Sequence, residues 1–338
     1  MTDLFAAPPP PASAPYPLAP PPAAIARPPR RWLGPWGGVL VFLAFSFFWF
    51  CNVLFDQLVL HGVGLSPNSL VLGGFGMTAA LVYTLAYRLR PTDGISVVRL
   101  GLAFVLGGLF STELAILIEA PLVLALGSSP NANLVAHSLA GVIEEACKLL
   151  AVVIAARGLV VRNARTGLFL GGAVGLGFAA FEDMRYASAA LSGAVGDHDQ
   201  LWSVISVTFG RDVIGPLEHP VMTALLAAAL FAASRNGRFR ITGSVVLVYL
   251  GVAAAHGLVD AAPDLLSLVL RSQLLSAELG ALIGILVAIG LGTVWLVYSR
   301  RLKRRMLAQE TAYADPSPVG SSAVASSSDS PPTGTPSQ

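Results

Sequence analysis

The stretch from Leu134 to Ala156 reads LVAHSLAGVIEEACKLLAVVIAA. It is long and apolar enough for a membrane-spanning helix, which needs about 20 residues, yet Glu144, Glu145 and Lys148 stand near its middle. An ionised group at mid-bilayer costs at least about 2.5–3.5 kcal/mol on insertion scales, so such groups pair, line a wet cavity or carry chemistry. The fold follows from whether the rest of the chain is also built for lipid, and the function from what these charges meet there.

The rest of the chain is built the same way. Of 338 residues, 54% are hydrophobic and only 12% charged, and the mean hydropathy is +0.70, which excludes an ordinary soluble domain. Hydrocarbon offers no water to backbone polar groups, so each apolar run must close its hydrogen bonds as a helix; the weak alternation argues against a β-barrel. Apolar runs predict spans at Trp36 to Leu60, Leu70 to Tyr87, Leu100 to Leu126, Leu134 to Ala156, Thr166 to Leu191, Ile214 to Ser234, Ile241 to Leu265 and Ala277 to Tyr298. Basic residues collect in alternate connections, as cytoplasmic loops require. Arg27, Arg30 and Arg31 precede the first span, Arg88, Arg90 and Arg99 follow the second, and Arg157, Arg162 and Arg165 follow the fourth. Arg235, Arg238 and Arg240 follow the sixth, and Arg300, Arg301, Lys303, Arg304 and Arg305 the eighth, while the other connections hold only Arg271 and, just ahead of the sixth span, Arg211. The expected fold is therefore all-α: a polytopic transmembrane bundle of about eight spans with both termini cytoplasmic.

Residues 1–31 are rich in Pro and the stretch 307–338 in Pro and Ser, compositions that cannot bury a core, so both read as disordered cytoplasmic tails around a membrane domain at 32–306. The first apolar run follows a Pro-rich arm and is long enough to span, so it reads as a retained span rather than a cleaved signal. Cys51 and Cys147 both fall in apolar runs and suggest no disulfide framework or CxxC metal site. Nothing in the charge pattern points to nucleic acid; the surroundings implied are lipid.

Several further charges sit where lipid should be, within a motif-bearing core at 133–265. Glu144 and Lys148 are i and i+4 and share a helical face, while Glu145 meets Lys148 at i+3. Two carboxylates sharing one lysine cannot both stay ionised cheaply, a usual route to a general base or acid. In the next span Gly171, Gly175, Phe178 and Glu182 lie on one face, the glycines forming a groove for a neighbouring helix; Asp183 adjoins it, and Arg185 stands at i+3 from Glu182 as a simple pairing partner. The sixth span opens with Arg211 and Asp212, and Pro216 and Pro220 flank Glu218 and His219, so its first turns should be disturbed. His256 and Asp260 share a face of the seventh. Measured from the expected outer helix ends at 1.5 Å per residue, Glu144 lies about 16 Å deep, Glu182 about 15 Å, His256 about 10 Å, His219 about 8 Å and Asp260 about 5 Å. Four helices thus deliver carboxylates and imidazoles to one slab of the outer half, as a single polar cavity requires. Asp56, Glu113 and Glu119 read as packing or cavity-mouth residues, and His61, His137 and His198 carry no assigned role.

These residues resemble the PrsW-type intramembrane proteases, themselves distantly similar to the membrane proteases that process CAAX-tailed proteins and bacteriocins. Glu144-Glu145-Ala-Cys-Lys148 matches the family's EExxK element and Phe178-Ala-Ala-Phe-Glu182 its FxxxE element. His219 with Thr223-Ala224 matches the third element, and His256-Gly-Leu-Val-Asp260 an HxxxD element. The family often has Asn after the FxxxE glutamate, where this chain has Asp183. The resemblance implies hydrolysis of peptide bonds in single-span or otherwise membrane-anchored proteins, such as anti-sigma-factor-like regulators, at a bacterial plasma membrane. Its site residues would be Glu144, Glu145, Lys148, Glu182, His219, His256 and Asp260. Glu144 or Glu145 would activate a water, Lys148 would tune its charge, and Asp260 would orient His256. His219, His256 and Glu182 have the donor types to hold zinc, although no HExxH is present; alternatively the histidines stabilise an oxyanion directly. A proton- or ion-coupled transporter would also place carboxylates and histidines at mid-membrane, but no paired inverted repeat is apparent.

Overall fold

The computed structural model describes residues 33–59, 67–89, 94–127, 129–191 and 200–314. The expected tail at 1–31 and residues 315–338 of the expected tail at 307–338, together with His61, His198 and the side chain of Asp56, lie outside the described residues. Among the described residues there is no strand, only helices joined by short turns. They are α1 (Gly37–Leu58), α2 (Pro67–Thr84), α3 (Val97–Val105), α4 (Thr112–Leu126), α5 (Pro130–Ala155), α6 (Ala164–Leu191), α7 (Gln200–Ala232), α8 (Gly243–Leu270) and α9 (Gln273–Ala314). A wide π-type segment, Leu106–Ser111, joins α3 and α4 into one rod, so the described chain forms eight rods. Six are long and apolar enough to cross a membrane: Gly37–Phe55, Ser69–Tyr87, Val97–Leu126, Ala164–Ala189, Gly243–Leu270 and Leu275–Arg305. The other two, α5 and α7, carry Glu144, Glu145 and Lys148 and Arg211, Glu218 and His219; α7 retains a shorter apolar stretch at Glu218–Ala232.

The basic connections converge on one end of the bundle. Arg99, at the start of α3, donates from Nη1 to the carbonyls of Ala155 (2.9 Å) and Arg157 (2.7 Å) beyond α5. Arg162, ahead of α6, donates to the carbonyl of Gly237 between α7 and α8 and stacks on Phe239, 4.7 Å from its ring centre. Trp295, Tyr298 and Leu302 of α9 pack there against Ala164 and Leu168. This gathering of arginines at alternate turns is what the positive-inside pattern requires. α9 continues past the expected boundary at 306 to Ala314, through Leu, Ala, Gln and Glu, all good helix formers.

Helix α7 departs from expectation. It begins at Gln200, not at Ile214, so Pro216 and Pro220 interrupt its interior rather than its first turns. Ser203, Arg211 and Asp212 dilute the hydropathy of its first half and hide it from a search for apolar runs. Each proline leaves the carbonyl four residues earlier without an intrahelical donor, which is tolerable at membrane depth only against other protein. His219 is likewise not near a helix end: it lies roughly 28 Å along α7 from Gln200.

α6 is the centre of the bundle, with 83% of its most apolar window buried. A Cβ added at Gly171 would lie 2.5 Å from the Thr223 carbonyl oxygen, and one at Gly175 would lie 2.5 Å from both the His219 oxygen and Pro220 Cα. The expected groove therefore seats the α7 backbone itself. A second close approach joins α5 to α8, where a Cβ at Gly257 would lie 2.5 Å from the Ser138 oxygen. Because the neighbour at Gly175 is backbone, Gly175→Ala should lower stability by about 1–3 kcal/mol. Gly251→Ala, which meets nothing within 4 Å, should not. Unfolding of the two variants in mixed micelles measures the difference.

Candidate active site

The four motifs bring their side chains to a common point within the bundle. Glu144, Glu145 and Lys148 come from α5, Glu182 from α6, His219 from α7 and His256 from α8, and all six are buried. The i, i+3 and i, i+4 spacing in α5 folds the lysine back on its own acids. Lys148 Nζ donates to Glu145 Oε1 (2.8 Å) and lies 3.2 Å from Glu144 Oε2. Its ammonium also sits 3.1 Å from His219 Nδ1 and 3.9 Å from the centre of the Phe178 ring, with Ala115 and Cys147 packed against that ring. A lysine surrounded in this way is a fixed internal cation, held by two carboxylates, an imidazole nitrogen and an aromatic face.

The two histidines are oriented in different ways. His219 Nε2 lies 2.7 Å from Glu182 Oε2; with its proton given to Glu182, the lone pair of Nδ1 faces Lys148. His256 Nδ1 lies 3.0 Å from Glu145 Oε1; with its proton given there, Nε2 is turned toward Glu144 Oε2 at 3.4 Å and Asp260 Oδ2 at 3.3 Å. Neither His256 Nε2 nor Glu144 Oε2 has a hydrogen-bond partner among the described residues, although both atoms are buried. A lone pair facing carboxylate oxygens at that range is unfavourable unless a proton or a cation stands between them. The ligand atoms of Glu144, His219 and His256 all lie within 4.8 Å of one another, and mixed nitrogen and oxygen donors suit a divalent metal. These residues therefore fit a metal ion, with His219 shared with Lys148 in this arrangement. Glu182 turns to His219 and Arg211 instead.

Arg211 was singled out in the sequence without a role. In the structure its Nη2 donates to Glu182 Oε2 (2.5 Å) and its Nε to Asp183 Oδ1 (3.0 Å), and the guanidinium lies 3.9 Å from the centre of the Tyr186 ring. Asp183, which stands where the family pattern often has Asn, thus serves as an anchor for this arginine. The contact was hidden in the sequence because Arg211 lies outside the apolar run that marks its helix, and because Arg185 offered Glu182 a local partner.

A cavity of about 850 Å³ opens over this cluster. Glu144, Glu182, Arg211 and Asp260 line it together with Glu119 of α4, His137 of α5 and Arg185 and Tyr186 of α6. Glu145, fully buried, does not line it. At one side of the cavity His137 Nδ1 and Asp264 Oδ2 lie 2.5 Å apart, tying α5 to α8. Glu119 therefore lies at the cavity, as expected, whereas Glu113 lines a smaller one of about 280 Å³ with Arg185 and Ser188.

A family model described as PrsW family intramembrane metalloprotease matches residues 96–291, from the start of α3 into α9. No curated protein and no solved structure matches the chain.

Proposed function

Because the chain belongs to the PrsW family of intramembrane metalloproteases, and is therefore a peptide hydrolase of the membrane, we propose that it cuts membrane-anchored proteins with a water activated by Glu144 at the floor of the cavity. The observation that carries this assignment is the division of labour between the paired acids. Glu145 is fully buried with Oε1 committed to Lys148 and His256, whereas Glu144 lines the cavity.

In this reading Glu144 takes a proton from a cavity water as the water oxygen adds to the peptide carbonyl. It returns that proton to the nitrogen as the C–N bond breaks, leaving a carboxylate and an amine. Glu145 fixes the tautomer of His256 by accepting from Nδ1, and Asp260 holds the same ring from the cavity side. Glu182, anchored by Arg211, orients His219 in turn. Lys148 keeps two adjacent carboxylates compatible with burial. His219 and His256 are the residues that would hold a metal beside Glu144, and zinc suits their donors. When bound, such an ion polarises a carbonyl and makes water a stronger nucleophile at neutral pH. Substrates in this reading are single-span or lipid-embedded regulators of the anti-sigma-factor kind, and the membrane is the bacterial plasma membrane.

The test is cleavage of designed single-span peptides by the purified protein in liposomes, with and without a chelator and with zinc restored. A product made by wild type, absent with Glu144→Gln, and lost and regained with the metal supports both parts. A product indifferent to chelator removes the metal from the mechanism. No product, together with a proton or solute flux abolished by Glu144→Gln, would replace the protease with a transporter.

A further inference from the structure

Arg185 stands three residues after Glu182 on α6, but the two are not paired. Glu182 Oε2 is occupied by Arg211 and His219, and Asp183 by Arg211. Among the described residues no hydrogen bond or ion pair reaches the Arg185 guanidinium, although it lines the cavity whose floor is Glu144. Glu119 of α4 lines the same cavity; its Oε1 is enclosed without a hydrogen-bond partner, and no ion pair within 4 Å joins it to Arg185 among the described residues. Two opposite charges on the walls of one intramembrane cavity would ordinarily close on each other, because each unpaired charge near hydrocarbon is costly. Here both line one cavity without closing an ion pair.

We propose that Arg185 is a specificity residue, the recognition point for an acidic side chain of the substrate, in the cavity that Glu119 also lines. This inference rests on the protease reading and names a feature of its substrate. A guanidinium with free N–H groups takes a carboxylate in paired hydrogen bonds, which gives geometric as well as electrostatic selection. Arg185 lies about 4.5 Å along α6 from Glu182, whose other contacts belong to the reacting cluster. An extended peptide advances about 3.3 Å per residue. The recognised Asp or Glu therefore falls one or two residues from the bond that is cut.

The experiment uses the full chain in liposomes and a set of single-span peptides differing only in the residues flanking the cut, which carry Asp, Ser or Lys. Wild type should cleave the Asp peptide with kcat/KM about 10- to 100-fold above the Lys peptide, the range of a charged hydrogen bond. Arg185→Met should bring that ratio near one while still cutting the Ser peptide, and Arg185→Glu should invert it. Ratios within one variant do not depend on how much of it folds. Equal Asp-to-Lys ratios for wild type and Arg185→Glu overturn this inference and leave the protease intact. So does an Arg185→Glu effect that follows the content of anionic lipid in the vesicles and not the peptide. Failure of wild type to cut any peptide removes both.

Discussion

Glu144→Gln, reconstituted in liposomes, loses peptide cleavage by about three orders of magnitude while keeping its fold, the loss expected when a general base is removed. The substitution is nearly isosteric and leaves an oxygen to face Lys148, while Glu145 keeps its own bond to that lysine, so unfolding in detergent should fall only modestly below wild type. Glu145→Gln should behave differently. It weakens the acceptor that serves both Lys148 and His256, so activity and stability fall together. The comparison turns on one measurement made twice, cleavage rate against unfolding midpoint for each variant. If Glu145→Gln were the stable and inactive one, the base would be Glu145 and the assignment above would be reversed.

Lys148→Met should be the most destabilising single change in the bundle. It leaves two adjacent buried carboxylates without their cation, and breaking a buried ion pair from one side costs about 3–5 kcal/mol. Methionine fills much of the volume and can lie against Phe178, so the loss reports on charge rather than on a cavity. Adding Glu145→Gln to Lys148→Met removes one of the orphaned charges and should recover part of the loss, a coupling that a double-mutant cycle measures directly. A single variant as stable as wild type would mean that the α5 acids are neutral in the folded protein and that Lys148 does not hold them.

Much of this arrangement was legible in the sequence because membrane proteins write their constraints in few symbols. Apolar length fixed the rods, arginines at alternate turns fixed their polarity, and Glu144, Glu145 and Lys148 were conspicuous for being charged where lipid was expected. Gly171 and Gly175 announced a close helix approach, and the α7 backbone occupies it. What escaped was whatever depends on partners remote in sequence. The first half of α7 is too polar to register as a span until Arg211 is seen to meet Glu182 and Asp183 on α6. The alternative reading of Glu182, a local pair with Arg185, lost to that remote arginine, because the side chain from α7 can reach two carboxylates at once. The roles of Glu144 and Glu145, identical in type and adjacent in the chain, are separated only by the cavity wall, and no single-sequence pattern encodes that.

The two rods set apart from the six apolar ones by their charges, α5 and α7, have a consequence for how the protein is made. At about 3 kcal/mol for each ionised group near the middle of a helix, the three on α5 oppose its entry into lipid by roughly 9 kcal/mol if it enters alone. Lys148 offsets part of this by meeting both carboxylates within α5, but the remaining partners of these charges lie downstream, on α7 and α8. α5 must therefore wait at the insertion machinery, or at the lipid boundary, until His219 and His256 have been synthesised. The hydrolytic cluster is then completed in the same event that commits the helices to the membrane, so a ribosome-bound fragment ending before α8 carries the paired glutamates and no working enzyme.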